Sequence, residues 1–324
     1  MIHKVLAILL FAAGVSASQA SAQSWPQRPV TFIVSQSAGA SPDVMARMVA
    51  TKLSALLKQT VIVENKPGAG NVIGATAAAR AASDGYTFFF ATSAALVTNP
   101  YMVKNLSYNP EKDFVPVALV TRSHQIFVAH PDVPARTLAE VIALDKATPG
   151  KFAISVDGPR NLAGVTAQAL NKRAGTQFLL VPSVNINRGL QDTIAGRTPL
   201  GVFSASIVES HVRSGALRAL ATASNKRLDA APDVPAAAET LPDFDFSGWF
   251  MLMAPAGTPP DIVDKMNKAI DEATRDAQVR ELAPKLGFEL DPKGAGTPQD
   301  AAAFLKAQLA IWATTTKELG IEPQ

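Results

Sequence analysis

Thr31-Phe-Ile-Val-Ser-Gln-Ser-Ala-Gly-Ala-Ser-Pro-Asp43 changes character twice within a few turns of chain. Val30 to Val34 is apolar and rich in β-branched residues, which predicts a buried strand. Ser35 to Ala40 is a loop of small and polar residues. Ser41 then stands where an N-cap belongs, Pro42 at the first helical position and Asp43 in the first turn, and Val44, Met48, Val49 and Leu53 follow at helical spacing. A strand that breaks into such a loop and restarts as a helix leaves backbone N–H groups pointing outward, with the positive end of the helix dipole behind them. Ser35, Gln36, Ser37, Ala38, Gly39, Ser41 and Asp43 are therefore candidates for binding an anion such as a carboxylate. From this stretch alone, an ordinary strand-to-helix connection is an equal reading.

Upstream lies a different kind of segment. Met1-Ile-His-Lys4 is a short basic start, Val5 to Val15 is apolar, and Ala20-Ser-Ala22 fits a small-residue cleavage site. Residues 1–22 read as a secretory signal peptide, with a retained N-terminal anchor as the alternative. The apolar run is too short to span a bilayer comfortably. The remaining chain, out of 324 residues, is long enough for two domains of ordinary size. Hydrophobic residues make up 48% of the whole, enough for large cores, while aromatics at 6% leave those cores to Ala, Val and Leu. A net charge of +3, one unit of it from Lys4, with scattered Lys and Arg, argues against nucleic acid as a partner. Zero cysteines exclude thiol catalysis, disulfides and Cys-based metal sites.

Downstream, strand and helix alternate. Thr60–Glu64 reads as a strand, Asn71–Ala82 as an Ala-rich helix and Tyr86–Ala91 as a third strand, with Thr92 and Ser93 at its end added to the candidate binding set. The alternation predicts parallel strands with helices on both faces, an α/β class. Pro100 to Pro116 reads as a surface excursion held by Tyr101, Tyr108 and Phe114. Val115–Val120 and Gln125–Ala129 carry the chain into a second domain. There the predicted elements are helix Leu138–Thr148, strand Phe152–Val156, helix Leu162–Ala174, strand Gln177–Val181, helix Gly189–Ala195, strand Leu200–Phe203, helix Ile207–Ser214 and strand Leu217–Ala223. After a Pro-, Ala- and Asp-rich loop, Phe250–Ala254 is another strand, and helices over Asp261–Thr274, Gln278–Leu286 and Pro298–Leu319 are expected to pack back on the first domain.

Known chemistries leave little trace. Pro67-Gly-Ala-Gly-Asn-Val-Ile-Gly74 approaches a dinucleotide fingerprint but is off by one, and Asp84 precedes the next strand instead of ending it. Close helix–strand packing explains those glycines as well. His124, His130 and His211 show no metal-ligand spacing, and no G-x-S-x-G elbow is present. Asp243 and Asp245 read as turn residues rather than an acid/base pair. No metal site, cofactor or catalytic residue is assigned, so the chain reads as a binding protein and not an enzyme.

A series of short motifs in order then carries a resemblance: Trp25-Pro-Gln-Arg-Pro29, Val63-Glu-Asn-Lys-Pro-Gly-Ala-Gly70, Asp84-Gly-Tyr-Thr87, Tyr108-Asn-Pro-Glu-Lys-Asp-Phe114, Asn161-Leu-Ala-Gly164, Leu217-Arg-Ala-Leu-Ala221, Pro232-Asp-Val-Pro235, Leu252-Met-Ala-Pro-Ala-Gly-Thr-Pro259 and Trp312. The chain after residue 22 resembles the periplasmic substrate-binding proteins of tripartite tricarboxylate transporters, the Bug family. The resemblance implies a two-domain, type II-like periplasmic binding protein, each domain a mostly parallel sheet flanked by helices, with the ligand enclosed between them. It implies capture of a small organic acid, delivery to membrane permease subunits, and a carboxylate held by loop N–H groups and water. Monomer is the default state. The domains are expected at 24–122 plus 227–324 and at 123–226. A sensory receptor presenting its ligand to a membrane kinase is the alternative, and an enzyme on the same scaffold is a further one.

The departures bear on the ligand. The family's usual Pro-Phe-x-Pro-Gly-Gly-Gly-Thr-Asp loop is here Ser35-Gln-Ser-Ala-Gly-Ala-Ser-Pro-Asp43, in which Pro42 has lost an N–H and the Ser37 and Ser41 hydroxyls are substitutes. The family's frequent Val-Pro-Tyr-Lys-Gly is Val181-Pro-Ser-Val-Asn185, which brings in Ser183 and Asn185, and a frequent acid aligns with Phe203, next to Ser204. In return, Val156-Asp-Gly-Pro-Arg-Asn161 carries Asp157 and Arg160. Arg160, or the N–H groups around Gly158 and Asn161, is expected to meet a second polar end of the ligand, and Phe203 to lie against an apolar ligand body. The competing readings are an Asp157–Arg160 surface pair and a Phe203 that is plain core.

Overall fold

In a computed structural model that describes residues 25–183, 185–228, 231–320 and 322–323, the chain forms two sheets. The signal-peptide reading of 1–22 lies outside the described residues. The strands, in chain order, are β1 (Val30–Val34), β2 (Val61–Asn65), β3 (Thr87–Thr92), β4 (Phe114–Ser123), β5 (Gln125–Ala129), β6 (Ala153–Val156), β7 (Leu179–Pro182), β8 (Leu200–Ser204), β9 (Arg218–Thr222), β10 (Gly248–Pro255) and β11 (Phe288–Glu289). One sheet has the order β11-β4-β10-β3-β1-β2 and the other β7-β6-β8-β5-β9.

Parallel pairing dominates where helices intervene: β1 with β2 and β3, and β6 with β7 and β8. The exceptions are the strands next to the crossings. β10 runs antiparallel to both β3 and β4, β5 antiparallel to both β8 and β9, and the short edge strand β11 antiparallel to β4. Only His124 separates β4 from β5, so a single residue carries the chain from one sheet to the other. The alternation pattern alone did not reveal these reversals, because β10 and β5 are both fully buried apolar runs without period-two polarity.

The aromatic residues, few as they are, concentrate on the first sheet. Phe32, Phe88, Phe89 and Phe90 are fully buried. The helix Ser41–Leu57 lays Met45, Ala46, Val49, Ala50 and Leu53 on that sheet and ends at Lys58 in the left-handed region. Its first turn differs by one residue from the sequence reading. Ala40, not Ser41, is the N-cap, and Ser41 Oγ hydrogen-bonds Ser123 Oγ at 3.2 Å instead of capping.

Gly74 has no room for a Cβ, which would stand 2.7 Å from Ser35 Cα and 2.8 Å from the Lys66 carbonyl oxygen. Close packing of helix Val72–Ala79 on the loop after β1 therefore accounts for this glycine. The C-terminal helix Pro298–Glu318 packs along β4, with Trp249 against Phe304, Phe246 against Trp312, and Tyr101 Oη donating to the Leu309 carbonyl at 3.0 Å.

Candidate functional site: the cleft between the two sheets

The loops that follow β1, β2, β3, β6, β7 and β8 all open toward the space between the sheets. Grooves beyond the carboxyl ends of parallel strands are where α/β folds place ligands, because helix N-termini begin there. Two cavities adjoin in this space and share Gln36, Ala40, Asp157 and Ile186. The outer one measures about 580 Å³ and the inner one about 40 Å³.

The inner cavity is the meeting point of three helix starts. Ala40, Ser41 and Pro42 open the helix Ser41–Leu57; Leu162 and Ala163 open Leu162–Ala174; Ser204 and Ile207 belong to the start of Ala205–Arg213. None of the three caps, Ala40, Asn161 and Ser204, contributes a side-chain cap hydrogen bond. Pro42 has no N–H, and the Ala205 N–H is taken by the His124 carbonyl at 2.9 Å. The Gly164 N–H is turned to the Asp157 carboxyl, and Ser41, Leu162 and Ala163, whose N–H groups belong to the remaining first turns, line a shared space on which three dipoles of one sign converge. A row of hydroxyls crosses its floor: Ser41 Oγ to Ser123 Oγ at 3.2 Å, Ser123 Oγ to Ser204 Oγ at 3.1 Å, and Ser204 Oγ to Ser206 Oγ at 3.1 Å. Hydroxyls donate or accept as required, so such a floor adapts to a polar head group.

The candidate residues from sequence divide by position. Gln36, Ser41, Thr92, Ser93, Asp157, Phe203 and Ser204 line the inner cavity, and Ser35, Gln36, Ser37, Asp157, Gly158, Arg160 and Asn161 the outer one. Ala38, Gly39, Asp43, Ser183 and Asn185 line neither. Asp43 is buried and occupied: it accepts from the Gly39 N–H at 2.8 Å, from Arg47 Nε at 3.0 and 3.1 Å, and from Asn65 Nδ2 at 2.9 Å. Burial pushes the Asp43 carboxyl up, but the hydrogen bonds from Arg47, Gly39 and Asn65 outweigh it and hold its pKa below the ordinary value. Its work is to hold the Ser35–Ala40 loop in shape. Asn185 caps the helix Ile186–Ile194 by accepting from the Asn187 N–H at 3.1 Å, and Ser183 donates to the Asn185 carbonyl at 2.7 Å.

Phe203 is completely buried in a cluster with Val128, Ile186, Leu190 and Val208, while also lining the inner cavity. Core residue and cavity wall are thus one side chain. Asp157 and Arg160 form no ion pair among the described residues. The Arg160 side chain lies against Gly70 of the facing loop, where an added Cβ would sit 3.4 Å from both Cβ and Nε of Arg160.

Several residues that sequence reading passed over bridge the cleft. Ser35 Oγ donates to Asn71 Oδ1 at 2.9 Å, Asn71 Nδ2 donates to Asn161 Oδ1 at 2.7 Å, and Asn161 Nδ2 donates to the Asp157 carbonyl at 2.8 Å. Nearer the mouth, Asn187 Nδ2 donates to the Ala38 carbonyl at 3.3 Å. Asn71 had a usable signal, since an Asn ending Gly-Ala-Gly-Asn suits the left-handed region, where it indeed sits at φ 76°. Ser123 and Asn187 had none: they matter through what another segment brings beside them. Among the described residues no cluster of three or more His, Asp or Glu is placed to hold a metal ion.

Two sheets joined through crossover strands, with an anion-seeking cleft between them, define a two-lobed solute-binding receptor. The chain belongs to the tripartite tricarboxylate transporter family receptor family, which residues 45–321 match. It is similar to Protein BugT of Bordetella pertussis, at 34% identity over 98% of this chain and 96% of that protein. Its fold is similar to that of R. palustris Rpa4515 with adipate (TM-score 0.88, 27% identity, 93% of this chain and 100% of that one). It is also similar to MatC of Rhodopseudomonas palustris with bound malate (TM-score 0.84, 28% identity, 90% of this chain and 99% of that one).

Proposed function

We propose that the protein is a periplasmic solute receptor that captures a small organic carboxylate in this cleft and delivers it to the membrane permease subunits of a tripartite tricarboxylate-type transporter. The observation that carries the reading is the convergence of three helix starts, without side-chain caps, on one inner cavity. A carboxylate there meets N–H donors and three favourable dipoles without needing a lysine or arginine. The adipate and malate of the two structural relatives are carboxylates too, which supports the same class.

In this reading the lobes are residues 24–122 with 227–324 and residues 123–226, hinged at His124 and along the return to β10. Residues 1–22 direct export, and the protein works as a monomer. The cross-cleft bonds Asn71–Asn161 and Asn187–Ala38 would break on opening, so ligand shifts the population toward the bridged form. The chemistry is capture and not turnover. Among the described residues the Ser123 hydroxyl bonds to Ser41 and Ser204 alone, and both nitrogens of the neighbouring His124 are engaged by Ser247 and Glu289.

Thermal unfolding of the purified protein with a panel of carboxylates, sugars and metal cations tests this. A carboxylate at about a hundred times its dissociation constant should add roughly 2.7 kcal/mol, raising the midpoint by a few degrees. Stabilisation by sugars or cations, with none from any carboxylate, would sink the assignment.

A further inference from the structure

Asp157 is the one acid that lines the inner cavity among the described residues, and its position is unusual. It follows directly on β6 and lines both cavities, at the point where they join. Its Oδ1 is wholly buried and finds no hydrogen-bond partner among the described residues. A buried carboxyl oxygen without a donor is expensive, and proteins leave one in a binding cleft where something else completes it. The nearest cation in sequence, Arg160, does not do so; it reaches across to Gly70. Burial pushes the Asp157 carboxyl up to about 7, although its own N–H and that of Gly164 favour the ionised form. What Oδ1 lacks is a donor, and a cationic one would offset the cost of burying its charge.

Size adds to this. The inner cavity, at about 40 Å³, has room for a head group and not for a whole ligand. The remainder of a ligand seated there extends into the outer cavity through the junction that Asp157 lines together with Gln36, Ala40 and Ile186. A ligand made only of carboxylates would bring a second negative charge past a buried acid, which is unfavourable in a low-dielectric site.

We propose that the cleft selects an organic acid that also carries an ammonium group, with the ligand's carboxylate at the three helix starts and its ammonium donating to Asp157. The proposal rests on the carboxylate-receptor reading and narrows it. Arg160, at the outer cavity, is then free to meet a second acidic or polar end of the same molecule. Glycine at 164 belongs to the design, because a Cβ there would collide with the Gly158 carbonyl and shift the loop that presents Asp157.

Titration calorimetry of the unaltered protein with matched pairs tests it: succinate against aspartate, glutarate against glutamate, propionate against alanine. Within pairs that bind, the amino member should be preferred by roughly tenfold or more, the scale of a hydrogen bond to a charged group. Asp157→Asn should erase that preference and let the bare acid bind as well as or better than before. Equal affinities within every binding pair, or preference for the bare acid, would overturn the proposal while leaving a carboxylate receptor standing. So would an Asp157→Asn protein that keeps its preference for the amino member. Failure of every member of every pair to bind would count against both readings. The pair comparison is made on the native protein, so it does not depend on any variant folding.

Discussion

His124 is the single residue between β4 and β5, and its surroundings make it a pH-sensitive joint. The ring is buried, with Nε2 3.0 Å from Glu289 Oε2 and Nδ1 3.2 Å from Ser247 Oγ. Burial lowers its pKa, and the Glu289 carboxylate only partly offsets that, so the folded protein favours the neutral ring. The unfolded chain takes up a proton near pH 6.5, earlier than the folded one. As pH falls below about 6.5, the unfolded state therefore holds more protons and stability declines until the folded ring is protonated as well. Replacing the ring by His124→Gln should flatten that part of a plot of melting midpoint against pH. An unchanged slope between neutral pH and pH 5 would show that the fold does not sense this histidine. Residues of this kind were the least legible from sequence. His124 carried no motif, Asp43 looked like a ligand contact but is consumed by Arg47, Asn65 and Gly39, and Asp157 differs from it only in the donors other segments supply.

Elements were far more legible than their ends. The helix Leu162–Ala174 has the bounds its sequence predicts: alanines run through it, Lys172 and Arg173 complement the last turn, and Gly175 at φ 65° stops it. The helix predicted to begin at Gly189 begins at Ile186, because Asn185 supplies a cap that the pattern of apolar residues does not announce. Strand direction was legible for β1, β2 and β3, where helices force parallel pairing, and hidden for β5 and β10, whose burial removes the alternation that marks a two-faced strand. The element that positions the site most tightly is Leu162–Ala174, pressed under the loop 157–161 at Gly164. Gly164→Ala should cost about 1–3 kcal/mol, as overpacking does, and weaken ligand response more than its stability loss explains. A variant with native midpoint and native binding would mean the helix can slide away from the loop at no cost.

Across the whole molecule, two sheets of similar build do different work. The first carries most of the aromatic core and receives the C-terminal helix; the second supplies two of the three helix starts and Asp157. Neither lobe alone makes the inner cavity. Ser41 and Ser93 come from one, Phe203 and Ser204 from the other, and Ser123 stands where they cross. That division is why the sequence shows a candidate anion loop but not a site: the donors converge only after folding brings residues near 41, 162 and 205 together. It also sets the most direct test. A crystal structure of the protein grown with whichever carboxylate stabilises it most should place a carboxylate oxygen about 2.7–3.2 Å from first-turn N–H groups of the helices beginning at Ser41, Leu162 or Ala205. A carboxylate held in the outer cavity by Arg160 alone, or bound outside the cleft, would contradict the central claim.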